Sequence, residues 1–396
     1  MTAIPRLRNY QGPALLSYGF RPFFLFGALY AGLSVLAWLP IFYGHLELAT
    51  AFTPRDWHVH EMLYGYVAAV ITGFLLTAIP NWTGRLPLQG RPLLVLLLVW
   101  GAGRVAVTVS AVIGPVTAAA IDVSFLLLVA GAAAREILAG RNWRNLKVLV
   151  VLAVLAAGNL TFHLEALHAG AATYGIRIGF GAVVLLVMLV GGRIVPSFTR
   201  NWLVRMNPGR LPVPFGRFDI IAMAVSAVAL ALWIVAPDAV HTGGAMAAAA
   251  VLQAGRLARW AGHRTLRDPL VLILHVGYVF VPLGFALLGA AAYGFVLPSA
   301  GLHAWAAGAV GVMTLAVMTR ASLGHSGRAL IAGPATQVIY ALAVTSAFAR
   351  LCAALEPQWS TLLLHVAAGA WAAAFLGFGV AYWHVLTGGR TAAQAA

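Results

Sequence analysis

The sequence predicts an all-α, polytopic membrane protein with about 12 transmembrane helices. Hydrophobic residues make up 62% of the chain and charged residues only 9%, whereas about 25% of the residues in an average soluble protein are charged. Apolar runs of about 20 residues, the length of a helix that crosses a bilayer, recur from end to end. These runs lack the alternation of a transmembrane β-strand, so we expect helices rather than a barrel.

Twelve apolar runs account for the predicted spans, and the arginines between them predict the orientation. The spans are residues 20–42, 56–80, 92–112, 115–139, 146–168, 174–197, 216–236, 241–261, 268–292, 302–320, 334–355 and 359–386. Arginine is concentrated in every second connection, while the other connections carry acidic residues, Arg55 and almost no other charge. Because cytoplasmic loops are enriched in Lys and Arg, both termini are predicted to be cytoplasmic.

The whole chain, 1–396, is predicted to be a single integral membrane domain. Its longest connection, about 199–215, is rich in arginine and proline and joins two six-span halves, about 1–198 and 216–396. The net charge of +15 could suggest nucleic-acid binding, but the arginines lie in short loops, so we expect a lipid bilayer and no nucleic acid as partner. The single cysteine, Cys352, excludes an internal disulfide and a CxxCH haem attachment.

Polar residues at the start of the second span are the first functional candidates. The run Trp57-His58-Val59-His60-Glu61-Met62 places two imidazoles and a carboxylate at the mouth of a span, where polar groups are functional candidates by default. Two helical residues separated by one other lie roughly 200° apart around the axis. His58 and His60 are therefore expected to serve two different centres. The alternative is a helix end at which all three side chains face water.

Histidines at similar depth on other helices extend this candidate site into an outer layer. The co-ligands predicted from depth, at about 1.5 Å per residue, are His163, His303 and His365. His275 lies in an apolar stretch of the ninth span and is the candidate for a separate site, and His325 follows the tenth span. Neutral imidazole suits iron, copper and zinc, so the pattern favours haem b, copper or both. Glu61 is expected to accept the N–H of a ligating imidazole.

Four arginines form the second set of cofactor-binding candidates. Arg55, Arg177 and Arg350 lie near the predicted outer face, where a guanidinium could hold a haem propionate in bidentate fashion. Arg104 of the third span and Asp122 of the fourth are at similar depth. A buried ion pair between them is the favoured interpretation of Arg104, with cofactor binding as the alternative.

Four blocks of the sequence resemble the NnrS family. They are Ser17-Tyr18-Gly19-Phe20-Arg21-Pro22-Phe23-Phe24, Trp57-His58-Val59-His60-Glu61-Met62-Leu63-Tyr64-Gly65, Gly73-Phe74-Leu75-Leu76-Thr77-Ala78-Ile79-Pro80-Asn81-Trp82-Thr83-Gly84, and Met318-Thr319-Arg320-Ala321 through Gly324-His325. The resemblance covers most of the chain. It implies a multi-pass protein of the bacterial inner membrane that contains haem and copper and is linked to denitrification, nitrosative stress and nitric oxide. It does not identify the metal ligands, which are predicted from depth and residue chemistry alone.

Three functions are compatible with these observations. The first is a haem- and copper-binding protein that handles nitric oxide, as an oxidoreductase or by sensing or sequestering the gas. The second is a secondary transporter, because twelve spans in two sixes is the layout of many carriers. The third is an assembly factor that depends on metal or haem. A Soret absorption band together with bound copper would favour the first function over a transporter, which would be colourless.

Overall fold

The computed structural model describes residues 10–389, which are almost entirely helical and contain no strand. The long helices are α1 (Phe20–Phe42), α2 (Pro54–Thr83), α3 (Arg91–Thr108), α4 (Pro115–Ala139), α5 (Leu146–Ala169), α6 (Tyr174–Met206), α7 (Arg217–Val235), α8 (Val240–Ala258), α9 (Pro269–Ala292), α10 (Pro298–His325), α11 (Pro334–Leu355) and α12 (Ser360–Ala381). A short helix α13 (Trp383–Thr387) follows. The predicted all-α membrane class is confirmed, while the side on which the termini lie stays a prediction.

Eleven helices within residues 10–389 are long and apolar enough to cross a membrane. The one predicted span that is not among these eleven, 241–261, corresponds to α8, which is helical over 19 residues but carries the polar residues Gln253 and Arg256. Both are buried and bonded: Arg256 Nε donates to Asp219 Oδ1 of α7 at 2.9 Å, and Gln253 Nε2 donates to Ser226 Oγ at 2.9 Å. These bonds between α7 and α8 compensate for the lower hydropathy of the helix.

Several helices extend beyond the apolar runs that predicted them. Helix α2 begins at Pro54 because the hydroxyl of Thr53 caps it, accepting a hydrogen bond from the Asp56 amide at 3.2 Å. Helix α6 continues through two arginines to Met206, so the connection predicted at about 199–215 is confined to residues 207–216. Arginine is a good helix former, and an aqueous loop therefore does not have to begin where the apolar run ends.

Two spans contain π-helical segments: Glu61–Val67 in α2 and Ala304–Val312 in α10. Each follows directly after a candidate histidine, His60 or His303. The most apolar windows of these spans are 83% and 72% buried, so their side chains mainly face protein rather than lipid. Because π-helical turns are rare and occur frequently at functional sites, both segments support a role for the preceding histidine.

The described residues form two compact units. The first contains residues 10–182, 321–329 and 375–389, and the second contains residues 183–320 and 330–374. The first boundary between the units, at residues 182 and 183, lies within α6. The predicted halves, about 1–198 and 216–396, are divided at about 199–215 instead, and that division stays a prediction.

Close helix packing in the first unit fixes the position of α2. Tyr64 of α2 lies against Gly158 of α5 and Gly179 of α6, where an added Cβ would collide with the tyrosine hydroxyl. That hydroxyl donates a hydrogen bond to the carbonyl of Gly175 at 2.6 Å. The small residues allow the three helices to approach closely. His60, which lies one turn before Tyr64 in α2, is thereby packed against α5.

Candidate metal centre

Three helices of the first unit bring together two imidazoles and a carboxylate. They are His60 of α2, Asp122 of α4 and His163 of α5, and one ligand atom from each lies within 4.8 Å of the others. Asp122 Oδ2 is 3.1 Å from His163 Nε2 and 3.2 Å from His60 Nε2. All three residues are buried, so the cluster is enclosed by protein.

An asparagine on the same face of α5 orients this cluster. Asn159 precedes His163 by four residues, and residues at this spacing are neighbours on one side of a helix. Its Nδ2 donates to Asp122 Oδ2 at 2.7 Å, and its Oδ1 lies 3.0 Å from His60 Nε2. The other ring nitrogen of His60, Nδ1, faces Glu61 Oε1 at 2.8 Å. Since both nitrogens of His60 face acceptors, the position between the rings and Asp122 favours a positive charge, either a proton or a metal ion.

A buried arginine joins the two carboxylates. Arg104 of α3 donates through Nη1 to Glu61 Oε1 at 2.7 Å and through Nη2 to Asp122 Oδ1. The predicted ion pair between Arg104 and Asp122 is thereby confirmed. The hydroxyl of Tyr30 on α1 donates to the remaining Glu61 oxygen, Oε2. One guanidinium faces two ionisable carboxylates, so a cation among the histidines would balance the charge of the buried group.

The donor atoms fit a small metal ion. Imidazole nitrogens and carboxylate oxygens bind transition metals at about 2.0–2.2 Å, so adjacent ligand atoms around one ion lie about 3 Å apart. The distances of 3.1 and 3.2 Å from Asp122 to the two rings are of this size. Two nitrogens and one oxygen form a donor set suited to copper, iron or zinc.

A haem does not fit at the same position. The Nε2 atoms of both histidines converge on one carboxylate oxygen, and neither faces an open plane. Aromatic rings surround His60, with the centroids of Phe162, Phe52 and Tyr64 at 5.1, 5.3 and 5.4 Å from its own. The space around the cluster is therefore filled by side chains, and the cluster suits an ion rather than a macrocycle.

The two histidines of the α2 motif contact different helices, as the spacing predicts. The ring of His58 stacks on Trp38 of α1, with centroids 4.2 Å apart and an angle of 25° between the planes, whereas His60 faces α4 and α5. Arg55, just before them, is exposed, and its Nη1 is 3.8 Å from the nearest oxygen of Asp56. The structure thus separates His58 and Arg55 from the cluster around His60.

The second unit contains three of the other predicted ligands. His303 and His365 each place Nδ1 2.7 Å from the carbonyl oxygen four residues earlier, that of Ser299 or Thr361. His275 Nε2 is 2.7 Å from the hydroxyl of Thr199, and its buried Nδ1 has no acceptor or donor among the described residues. The single outer layer of histidines predicted from depth stays a prediction.

The remaining candidates, His325, Arg177 and Arg350, lie outside the cluster of His60, Asp122 and His163. His325 lies against the rings of Tyr18 and Phe20 in the first unit. The guanidinium of Arg177 lies 4.5 Å from the ring centroid of Tyr174. Arg350 is partly buried and forms no salt bridge with a carboxylate in residues 10–389.

Two residues of the network were missed in the sequence. Asn159 has a signal that could have found it, because it is a polar residue in an apolar span and precedes His163 by one helical turn. Tyr30 has none, since a tyrosine in a membrane helix is common and its contact with Glu61 depends on the packing of α1 against α2.

The fold and this cluster define a multi-pass membrane protein with a buried histidine–carboxylate centre. A family model described as NnrS protein matches residues 14–390, nearly the whole chain, and the chain belongs to the NnrS family. Membership in this family supports a function related to nitric oxide. A search of the curated proteins found no match.

Proposed function

We propose that the protein handles nitric oxide in the bacterial inner membrane and that His60, Asp122 and His163 hold its copper ion. The observation that carries the proposal is the convergence of three buried donors at the spacing of ligands around one ion. Copper accepts imidazole and carboxylate ligands, and bound copper would supply a centre that binds nitric oxide and exchanges electrons with it.

The surrounding residues hold the donors in position. Nδ1–H of His60 would donate to Glu61 Oε1, which orients the ring and leaves Nε2 for the ion. Asn159 Nδ2 donates to Asp122 Oδ2 and so positions the carboxylate. Arg104 occupies Asp122 Oδ1, which leaves Oδ2 directed at the imidazoles. Such outer hydrogen bonds orient ligands and set their basicity. Burial excludes water, while a small apolar gas can reach a site within the bilayer through lipid.

Haem b is proposed to bind in the second unit instead. When Nδ1–H of His303 or His365 donates to the carbonyl four residues earlier, the lone pair of the ring lies on Nε2, and this nitrogen would bind the haem iron. Arg350, without a carboxylate partner among residues 10–389, is the proposed propionate-binding residue.

The proposal is tested by nitric oxide binding and consumption in purified wild-type protein, His163→Ala and His168→Ala. His168 lies on the same helix as His163 but is exposed, so it is the matched control. Wild type and His168→Ala should show the same change of the optical spectrum on addition of nitric oxide and the same rate of nitric oxide consumption, measured with an electrode. Folded His163→Ala should lose the part of both responses that depends on copper. A full response in folded His163→Ala would contradict the proposal.

A further inference from the structure

Two of the four sequence blocks that resemble the NnrS family take no part in the metal centre but pack against each other. The ring of His325, from the last block, stacks on Tyr18 of the first block with centroids 5.7 Å apart and planes 26° apart. Its centroid is also 5.7 Å from that of Phe20. This contact lies within the first unit, at the ends of α1 and α10 that are predicted to be cytoplasmic.

The contact places a buried arginine beside the end of α13. Arg21 is only 4% exposed, and its Nη1 donates to the carbonyls of Val385, Leu386 and Gly388 at 3.3, 3.0 and 2.6 Å. These bonds satisfy carbonyls that a helix end leaves without partners. All of them use one nitrogen, so Nε and Nη2 of Arg21 donate to no other described residue.

A second arginine lies close by. Arg328 lies three residues after His325, and the ring of His325 contacts Phe20, the residue next to Arg21. The Nε of Arg328 is buried and has no acceptor within residues 10–389. Neither arginine forms a salt bridge with a described carboxylate. Two neighbouring cations with a buried, unused donor are unfavourable unless an anion compensates for them.

We propose that Arg21 and Arg328 bind a phosphoryl oxyanion, with the stacked ring of His325 holding the Arg328 segment in place. A guanidinium matches a phosphate with two parallel hydrogen bonds, and a phosphate has enough oxygens for two guanidinium groups. The predicted position at the cytoplasmic face allows two sources of this group, the headgroup of an anionic phospholipid and free phosphate. The proposal does not depend on the metal centre.

The test compares full-length wild type, Arg328→Gln and Arg91→Gln after removal of lipid. Arg91 is exposed and predicted to lie on the same side, so its variant controls for the loss of one charge. Inorganic phosphate, phosphatidylglycerol and diacylglycerol are titrated while the thermal unfolding midpoint is measured. Diacylglycerol has the same acyl chains without a phosphate and should cause no shift.

We expect a saturable stabilisation of wild type and Arg91→Gln, and binding weakened roughly tenfold or more in Arg328→Gln, as the loss of a charged hydrogen bond implies. A shift with inorganic phosphate identifies a free anion as sufficient, and a shift with phosphatidylglycerol alone identifies the lipid. The proposal is overturned if neither phosphate compound stabilises wild type, if diacylglycerol acts equally well, or if Arg328→Gln responds like wild type. Arg328→Lys, which keeps the charge, should recover part of the response. This recovery would show that the loss in Arg328→Gln is not caused by a folding defect.

Discussion

Replacing Arg104 by glutamine is the most informative perturbation of the buried network. The substitution removes the donor to Glu61 at 2.7 Å and the donor to Asp122. Both carboxylates are at most 1% exposed, so water cannot replace the lost partner. Removing one member of a buried ion pair costs about 3–5 kcal/mol, because the remaining charge stays buried without compensation.

An exposed arginine provides the comparison. Arg85 pairs with Glu136 at 2.5 Å, but its side chain is 44% exposed, and surface pairs contribute about 0–1 kcal/mol. Arg85→Gln should therefore change the free energy of unfolding by about 1 kcal/mol at most. The two variants remove the same charge and differ chiefly in burial.

Reversible unfolding by a denaturing detergent, followed by circular dichroism, measures both effects. Arg104→Gln should be destabilised by at least about 3 kcal/mol, and the double variant with Asp122→Asn should recover part of this loss because one uncompensated carboxylate is removed. If Arg104→Gln is as stable as Arg85→Gln, the two carboxylates do not depend on the arginine, and the reasoning from burial is refuted.

Two further predictions concern packing and topology. Gly65→Ala should lower the unfolding midpoint and disturb the network, because an added Cβ would lie 2.6 Å from Nη1 of the buried arginine. Gly101→Ala, where no atom lies within 4 Å, should be nearly neutral, and equal midpoints would contradict the packing argument. Reporter fusions should place the C-terminus in the cytoplasm and the 43–55 loop outside; a periplasmic C-terminus would reverse every predicted depth.

The fold was largely predictable because hydrophobic length determines it. An apolar run of about 20 residues in a bilayer must satisfy its own backbone and therefore forms a helix. The extent of α6 and the polar helix α8 were less evident, since the first continues through arginine and the second carries Arg256, whose partner Asp219 lies on the preceding helix. Hydropathy describes the contact with lipid but does not identify which helix face is covered by protein.

The sequence predicted which types of residue form the candidate site but only some of the contacts between them. The separation of His58 from His60 follows from helical geometry, and the pairing of Arg104 with Asp122 follows from two adjacent spans. The convergence of His60, Asp122 and His163 depends on the packing of α2 and α5 against α4, which no local pattern determines. Depth places His163 and His303 in one layer, and this stays a prediction because the two residues belong to different units.

Metal content tests the central claim most directly. The number of copper ions per protein is measured by inductively coupled plasma mass spectrometry in wild type, His163→Ala and His168→Ala. Folding of each variant is checked by circular dichroism. The account predicts one copper in the wild type and in His168→Ala, and a loss of that copper in folded His163→Ala with any haem iron retained. Full copper in folded His163→Ala would show that the ion is held elsewhere and would contradict the assignment of the His60–Asp122–His163 cluster.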